Sequence, residues 1–202
     1  MVDATQITAV VLAGGRGLRM GGVDKGLQLY NGLPLVLHVL RRLQPQVGHT
    51  VLSANRHAEQ YAALGVPVLT DVLPGFAGPL AGILTALHHC TTPFLLAVPC
   101  DSPLLPRDLV TRLSQPLAAP DCNMAIAVTP DVDVAGAVTL RAHPVFCLMR
   151  TSVRPGLEDF IARGERRIGA WAAAQQACRV PFDDAQAFLN INTLSELHAL
   201  SQ

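Results

Sequence analysis

Apolar residues recur along this chain in two rhythms. Through the first half, compact apolar runs alternate with stretches in which apolar positions return every third or fourth residue. The β-branched run at 7–11 predicts a first strand, and 49–53 and 66–69 predict a second and a third. Between the first two, residues 27–32 read as a short extended excursion and turn. Pro34 then suits the first turn of a helix striped by Leu35, Val36, Val39, Leu40 and Leu43. A further helix is expected over 59–64, and Pro79, after a turn at 75–79, opens another that runs to about residue 90. Residues 93–99 are uninterruptedly apolar, the mark of a central strand covered on both faces. A helix over 106–113 follows, then a loop marked by Pro116 and Pro120. The second half has strands at 124–128, 137–140 and 144–149 without long helices between them. Helices at 153–162 and 167–174 and a strand near 179–182 come next, and Thr193, with Glu196 at capping-box spacing, opens a final helix. Alternation of strand and helix means an α/β fold with a doubly wound, mostly parallel sheet. The later strands extend it as a mixed lobe over one edge. With 202 residues and no linker, repeat or low-complexity stretch, one domain is expected.

The first strand runs into Leu12-Ala13-Gly14-Gly15-Arg16-Gly17-Leu18-Arg19-Met20-Gly21-Gly22-Val23-Asp24-Lys25. Five glycines in these fourteen residues leave backbone N–H groups uncovered to converge on an anion, and Arg16, Arg19 and Lys25 add positive charge. Such a loop is built to hold phosphate. It is neither of two familiar phosphate loops. A dinucleotide fingerprint would need glycine where Met20 stands, and a P-loop would need Gly before and Ser or Thr after Lys25, where Asp24 and Gly26 stand.

Composition narrows the class. Half the residues are hydrophobic but only 4% are aromatic, so Leu, Val and Ala must fill the core. Fifteen basic and fifteen acidic residues balance, without a basic block, which argues against nucleic-acid and membrane-surface binding. No apolar run is long enough to span a bilayer, and residues 1–6 lack the basic start of a secretory signal. Five cysteines form an odd set without a C-x-x-C pair, which fits reduced thiols in the cytoplasm. No zinc-ligand spacing is present.

In an open parallel sheet, ligands bind beyond the carboxyl ends of the strands. Those ends carry the Gly-rich loop, Ser53-Ala54-Asn55-Arg56, Asp71 and Asp101. A carboxylate after a central strand is costly to bury unpaired. Beside a triphosphate, Asp101 has the hard oxygen that Mg²⁺ requires; as a turn or N-cap residue before Ser102-Pro103 it would be structural.

The run from Leu12 to Lys25 resembles the opening signature of the nucleotidyltransferases, which wraps a nucleoside triphosphate. Arg19-Met20-Gly21-Gly22-Val23-Asp24-Lys25 is most similar to the molybdenum cofactor guanylyltransferases. The resemblance implies a nucleotide site at Leu12, Ala13, Gly14, Gly15, Lys25, Ser53, Asn55, Asp71 and Asp101, with Lys25, Arg19 and Asp101 catalytic and Asp101 the metal ligand. Ser53 stands where the family has Asn, so Asn55 or a water would have to replace that amide. Gly78-Pro79-Leu80-Ala81-Gly82, Gly164-Glu165-Arg166-Arg167 and Asn190-Ile191-Asn192-Thr193 resemble further family segments. They imply substrate contacts from Gly78, Gly82, Arg166, Asn190 and Asn192. Read from the residues alone, the two glycines are equally packing glycines, the arginines a solvated helix start, and Asn192 a helix cap. His143-Pro144 also matches, although a lone His beside a strand is commonly structural.

The implied reaction moves GMP from GTP to molybdopterin, molybdenum-loaded, with release of pyrophosphate and Mg²⁺ as cofactor. Transient contact with molybdoenzyme apoproteins or their chaperones would follow. The alternatives are a molybdopterin cytidylyltransferase or another nucleotidyltransferase, and, from a different class, a non-catalytic nucleotide or cofactor carrier. The Lys25 and Asp101 pair speaks against the carrier, which needs neither. The nucleotide-binding half would span about 1–115 and the substrate-side half about 116–202.

Overall fold

A computed structural model of the chain describes residues 2–13, 24–71, 78–132 and 136–191. Among these described residues the strands are β1 (Ile7–Leu12), β2 (Leu29–Tyr30), β3 (Leu33–Pro34), β4 (His49–Ser53), β5 (Val68–Leu69), β6 (Phe94–Pro99), β7 (Met124–Val132), β8 (Val138–Arg150) and β9 (Cys178–Pro181). The α-helices are α1 (Leu35–Leu43), α2 (Ala58–Ala62), α3 (Pro79–His89), α4 (Leu109–Ser114), α5 (Arg154–Ala162) and α6 (Ile168–Ala174). Seven strands form one sheet in the order β5-β4-β1-β6-β8-β7-β9. β1 pairs in parallel with both β4 and β6, β4 with β5, and β7 with β9, while β8 runs antiparallel to β6 and β7. The doubly wound, mostly parallel sheet with a mixed extension is therefore as the alternation predicts. The chain winds outward from β1 to β5 and returns on the other side at β6, so the switch in strand order lies between β1 and β6.

Strand alternation divides the core in two. Ala9 and Val11 face the layer built by Val39, Leu43, Tyr61 and Leu113 of α1, α2 and α4. Val10 faces the opposite layer of Ile83, Leu87, Leu157 and Trp171 from α3, α5 and α6. All of β6 is buried, as a strand covered on both faces must be.

The structure departs from the sequence pattern locally. Residues 27–32 include the first strand of a hairpin, β2–β3, turned by Asn31 and Gly32 with φ of 48° and 78°, a conformation that Asn-Gly adopts readily. β5 is only two residues long, since Pro67 lacks an N–H, although its carbonyl still accepts from Leu52 N at 2.8 Å. α4 starts at Leu109, three residues after the expected 106. The strands expected at 137–140 and 144–149 are one, β8. Its register against β7 jumps: Ile126 pairs with Cys147 but Ala127 with His143, leaving Pro144, Val145 and Phe146 out of the ladder. Pro144 has no N–H to give, so a bulge here is the expected response. The helix expected from Thr193 lies outside the described residues.

Candidate active site

The carboxyl ends of β1 and β6 meet at the switch point. Leu12 accepts from Cys100 N at 3.1 Å, and Ala13 N donates to Ser53 O at 2.8 Å, so the first strand's end is laced to both neighbours. Just beyond β6, Asp101 is almost buried. Its Oδ2 accepts from Lys25 Nζ at 3.3 Å, with side-chain exposures of 22% for Lys25 and 11% for Asp101. Burial raises the Asp101 pKa, and the Lys25 charge opposes that rise. The lysine thus helps keep the carboxylate ionised.

Lys25 is itself held from behind. The buried Asp24 carboxylate accepts from Tyr61 Oη at 2.5 Å and from Gly26 N at 3.1 Å, both on Oδ1, and Asp24 O accepts from Gln28 Nε2 at 3.2 Å. A Cβ on Gly26 would stand 2.5 Å from Tyr61 Oη, so only glycine admits the phenol here. Burial pushes the Tyr61 hydroxyl well above the usual phenol range, which keeps it a donor. Asp24 Oδ2 is buried without a hydrogen-bond partner among the described residues. Asp24 and Tyr61 escape a reading of the sequence: Asp24 was visible only as a neighbour of Lys25, and Tyr61 sits on a short helix with no motif around it.

On the β4–β5 flank, Asp71 gathers the polar strand ends. It accepts from Ser53 Oγ at 3.2 Å and from Asn55 Nδ2 at 2.7 Å, and its own N donates to Asn55 Oδ1 at 2.9 Å. The Asn55 amide is thus engaged with Asp71 through both its ends. Gly82 lies in the buried part of α3, where a Cβ would meet Ser53 Oγ at 2.5 Å and Leu12 Cδ2 at 2.8 Å; it lets the helix settle on the strands. Gly78 precedes α3 at φ 73°, near the Arg166 carbonyl. Arg166 Nη1 donates at 2.7 Å to each of the Ile161 and Glu165 carbonyls, at the end of α5.

On the other flank, Asn190 Oδ1 accepts from Ser102 Oγ at 2.8 Å and Ile191 N donates to Asp101 O at 2.9 Å. The 185–191 segment is thereby stitched to the end of β6. Beside it a pocket of about 630 Å³ opens between the outer part of β7 and β8 and this segment. His143 in its wall shares a hydrogen bond of 2.9 Å with Thr129 and stacks on Phe188 at 4.9 Å. Gly14, Gly15, Arg19 and Asn192 lie outside the described residues.

Asp101 suits a divalent cation that takes most of its ligands from elsewhere. Among the described residues no group of three or more His, Cys, Asp or Glu side chains could hold a metal. A single carboxylate offers hard oxygens of the kind Mg²⁺ accepts, an ion that commonly completes its shell with phosphate and water.

A family model described as a MobA-like NTP transferase domain matches residues 9–178. The chain is 50% identical over 202 residues to a molybdenum cofactor guanylyltransferase of Ralstonia nicotianae, covering 100% of this chain and 99% of the relative. The chain belongs to the molybdenum cofactor guanylyltransferase family. A second family member, from Bordetella petrii, is 52% identical over 200 residues, covering 99% of this chain and all of the relative. Solved structures agree on the fold. Molybdopterin-guanine dinucleotide biosynthesis protein A from Archaeoglobus fulgidus superposes with a TM-score of 0.71 at 22% identity, over 96% of each chain. The 2-C-methyl-D-erythritol 4-phosphate cytidylyltransferase from Thermus thermophilus gives 0.72 at 17% identity, over 95% of this chain and 96% of that one. Membership makes the chain an enzyme of the nucleotidyltransferase type. No helix among the described residues is long and apolar enough to cross a membrane.

Proposed function

We propose that this guanylyltransferase moves GMP from GTP to the terminal phosphate of molybdopterin, in its molybdenum-loaded form, within one nucleotidyltransferase domain. The observation that carries the chemistry is the Lys25–Asp101 pair, 3.3 Å apart at the switch point where β1 and β6 end. An oxygen of the acceptor phosphate attacks the α-phosphorus of GTP. A new P–O bond forms as the bond to the β-phosphate oxygen breaks, and pyrophosphate leaves. The acceptor phosphate is already anionic, so no side chain need remove a proton.

Asp101 would hold Mg²⁺, which when bound supplies charge neutralisation and alignment of the phosphate oxygens. Lys25 brings a fixed positive charge to the same place, where charge on the α-phosphate grows in the transition state. Its reach is set by the Asp24 turn, so the charge is in position before substrate arrives. Arg19, Gly14 and Gly15 belong to the loop that would take the leaving phosphates. Ser53, Asn55 and Asp71 form the nucleotide flank, with Leu12 and Ala13 at its inner edge. Gly78, Gly82, Arg166, Asn190 and Asn192 are assigned to the acceptor side. Of these, Asn190 has the firmest support, through its bond to Ser102 beside Asp101. A reducing cytoplasm as the compartment is supported by five free thiols, three of them buried.

The test is transfer by the pure protein with Mg²⁺, molybdopterin and molybdate, offering GTP, CTP, ATP and UTP separately and identifying products by mass. A guanine dinucleotide from GTP alone is expected. A cytosine product would keep the mechanism and overturn the base assignment, and no product from any nucleotide would overturn the transfer reading.

A further inference from the structure

The transfer chemistry uses no thiol, yet two of the cysteines stand together. Cys122 lies just before β7 and is 6% exposed, while Cys178 is the first residue of β9 and is half-buried. β9 runs parallel to β7 with Cys178 opposite Ala125. Upstream of β7 the chain turns back on itself, and Cys122 Sγ donates to Met124 O at 3.4 Å. The turn brings the two thiols into a shared hydrogen bond, and the Cys178 N–H also donates to the Cys122 sulfur. Arg150 fixes the turn from the other side, with Nε on Cys122 O at 3.3 Å and Nη2 on Leu117 O at 2.7 Å. Both sulfurs are therefore carried on backbone that is tied in place.

The remaining cysteines stand elsewhere. Cys90 follows α3, Cys100 follows β6, and Cys147 belongs to the core layer on the other face of the sheet from Cys122. β8 runs antiparallel to β6 and to β7, so β6, β7 and β9 all point the same way. Cys122 and Cys178 thus mark the amino-end rim of the sheet, opposite the rim that carries Lys25 and Asp101. The two sulfurs also differ in reactivity. Burial pushes the Cys122 thiol up to about 11, which keeps it protonated. Cys178 is the one that solvent reaches.

We propose that Cys122 and Cys178 are a reversible oxidation site, joined as a disulfide by hydrogen peroxide and reopened by a dithiol. Cys178 loses its proton and attacks one peroxide oxygen. An S–O bond forms, the O–O bond breaks, and the hydroxide released takes up that proton as water. The Cys122 sulfur then attacks the Cys178 sulfenic sulfur. The S–S bond forms, the S–O bond breaks, and hydroxide leaves with the Cys122 proton as a second water. Two thiols lose two electrons and one peroxide gains them. A dithiol reverses the step by exchange and closes into its own disulfide. The bridge closes a loop of about 57 residues and ties the edge strand β9 to the start of β7. It also withdraws Cys178 from irreversible oxidation to the sulfinic acid.

The full-length protein, reduced and freed of reductant, is treated with a few equivalents of hydrogen peroxide and its remaining thiols are blocked with N-ethylmaleimide. Digestion without reductant and mass spectrometry should find the Cys122 and Cys178 peptides joined, lighter by two hydrogens than their sum. The bridge should raise Tm by at least about 5 °C, and dithiothreitol should reverse both changes. Cys178→Ala is a change at a half-buried position and should fold, as its own melt checks. It should form no bridge and gain no Tm on oxidation. In Cys122→Ala, Cys178 should stop at the sulfenic acid, trapped by dimedone, and go on to the sulfinic acid. Overturning results are a wild type whose Cys178 goes to the sulfinic acid without bridging, and a bridge between other cysteines. Bridging that is no faster in the folded protein than in urea, or that lowers Tm, would equally overturn it.

Discussion

Asp101 is costly to keep ionised where it stands, because burial favours its neutral form and Lys25 opposes that preference. Asp101→Asn and Lys25→Met should each lower turnover at least about a hundredfold, the usual size of a lost electrostatic contact to a transition state. Steady-state assays measure that loss, and melting curves show that both variants fold. Lys25→Met leaves a nearly buried carboxylate without its cation, so the double variant should melt closer to wild type than Lys25→Met alone. Additive shifts would mean that the pair is not coupled. Tyr61→Phe removes the hydroxyl donor to Asp24, which already has one buried oxygen without a partner among the described residues. Its cost should be about 1–3 kcal/mol, a fall of about 2–4 °C in Tm per kcal/mol for a chain of this size. Because Asp24 sets the turn that aims Lys25, kcat should fall more than KM for GTP rises. Lys25 and Asp101 could be read in the sequence because each has a recognisable local context, a Gly-rich loop and an apolar strand end. Tyr61 could not, since its partner is 37 positions away.

At the scale of elements, α3 owes its closeness to the sheet to Gly82. Gly82→Ala would set a Cβ against Ser53 Oγ and Leu12 Cδ2 at distances that force movement. A loss of about 1–3 kcal/mol is expected from overpacking, read by urea unfolding. Ser53 is short and carried on a strand, so it cannot swing aside as a long side chain would. The β7–β8 arm carries a pH dependence of its own. Burial and then the Arg141 charge hold the His143 imidazole below its ordinary value of 6.5, against the pull of Asp131. The unfolded chain therefore takes up this proton at a higher pH than the folded one. The stability His143 contributes is complete above about pH 6.5 and is lost as pH falls through its lower folded value. Tm measured from pH 7.5 to 5 should decline more steeply for wild type than for His143→Asn. The sequence showed an arm of two short strands where the structure has one long β8. The interruption it registered at Pro144 is real, but it is a bulge within the strand.

Across the whole molecule, one sheet carries the Ser53, Asn55 and Asp71 cluster at β4–β5 and the β7–β8 arm at opposite sides of β1 and β6, beyond whose ends the Lys25–Asp101 pair sits. GTP at about a hundred times its Kd should stabilise the fold by about 2.7 kcal/mol, or about 5–10 °C in Tm. Asp71→Ala, which releases Ser53 and Asn55 together, should shrink that shift, as thermal melts with and without GTP would show. An undiminished shift would remove Asp71 from the nucleotide site. The sequence by itself determined the α/β class, the parallel first half, and the polar strand ends at Ser53, Asp71 and Asp101. It could do so because strand and helix periodicity, turn residues and strand-end polarity are written within a few neighbouring positions. Only the tertiary structure decided that β8 enters antiparallel between β6 and β7, that Tyr61 braces Asp24, and that Asn190 reaches Ser102 across 88 positions. Those pairings are selected by how the layers pack and which buried polar groups then find partners, and no local spacing encodes that choice.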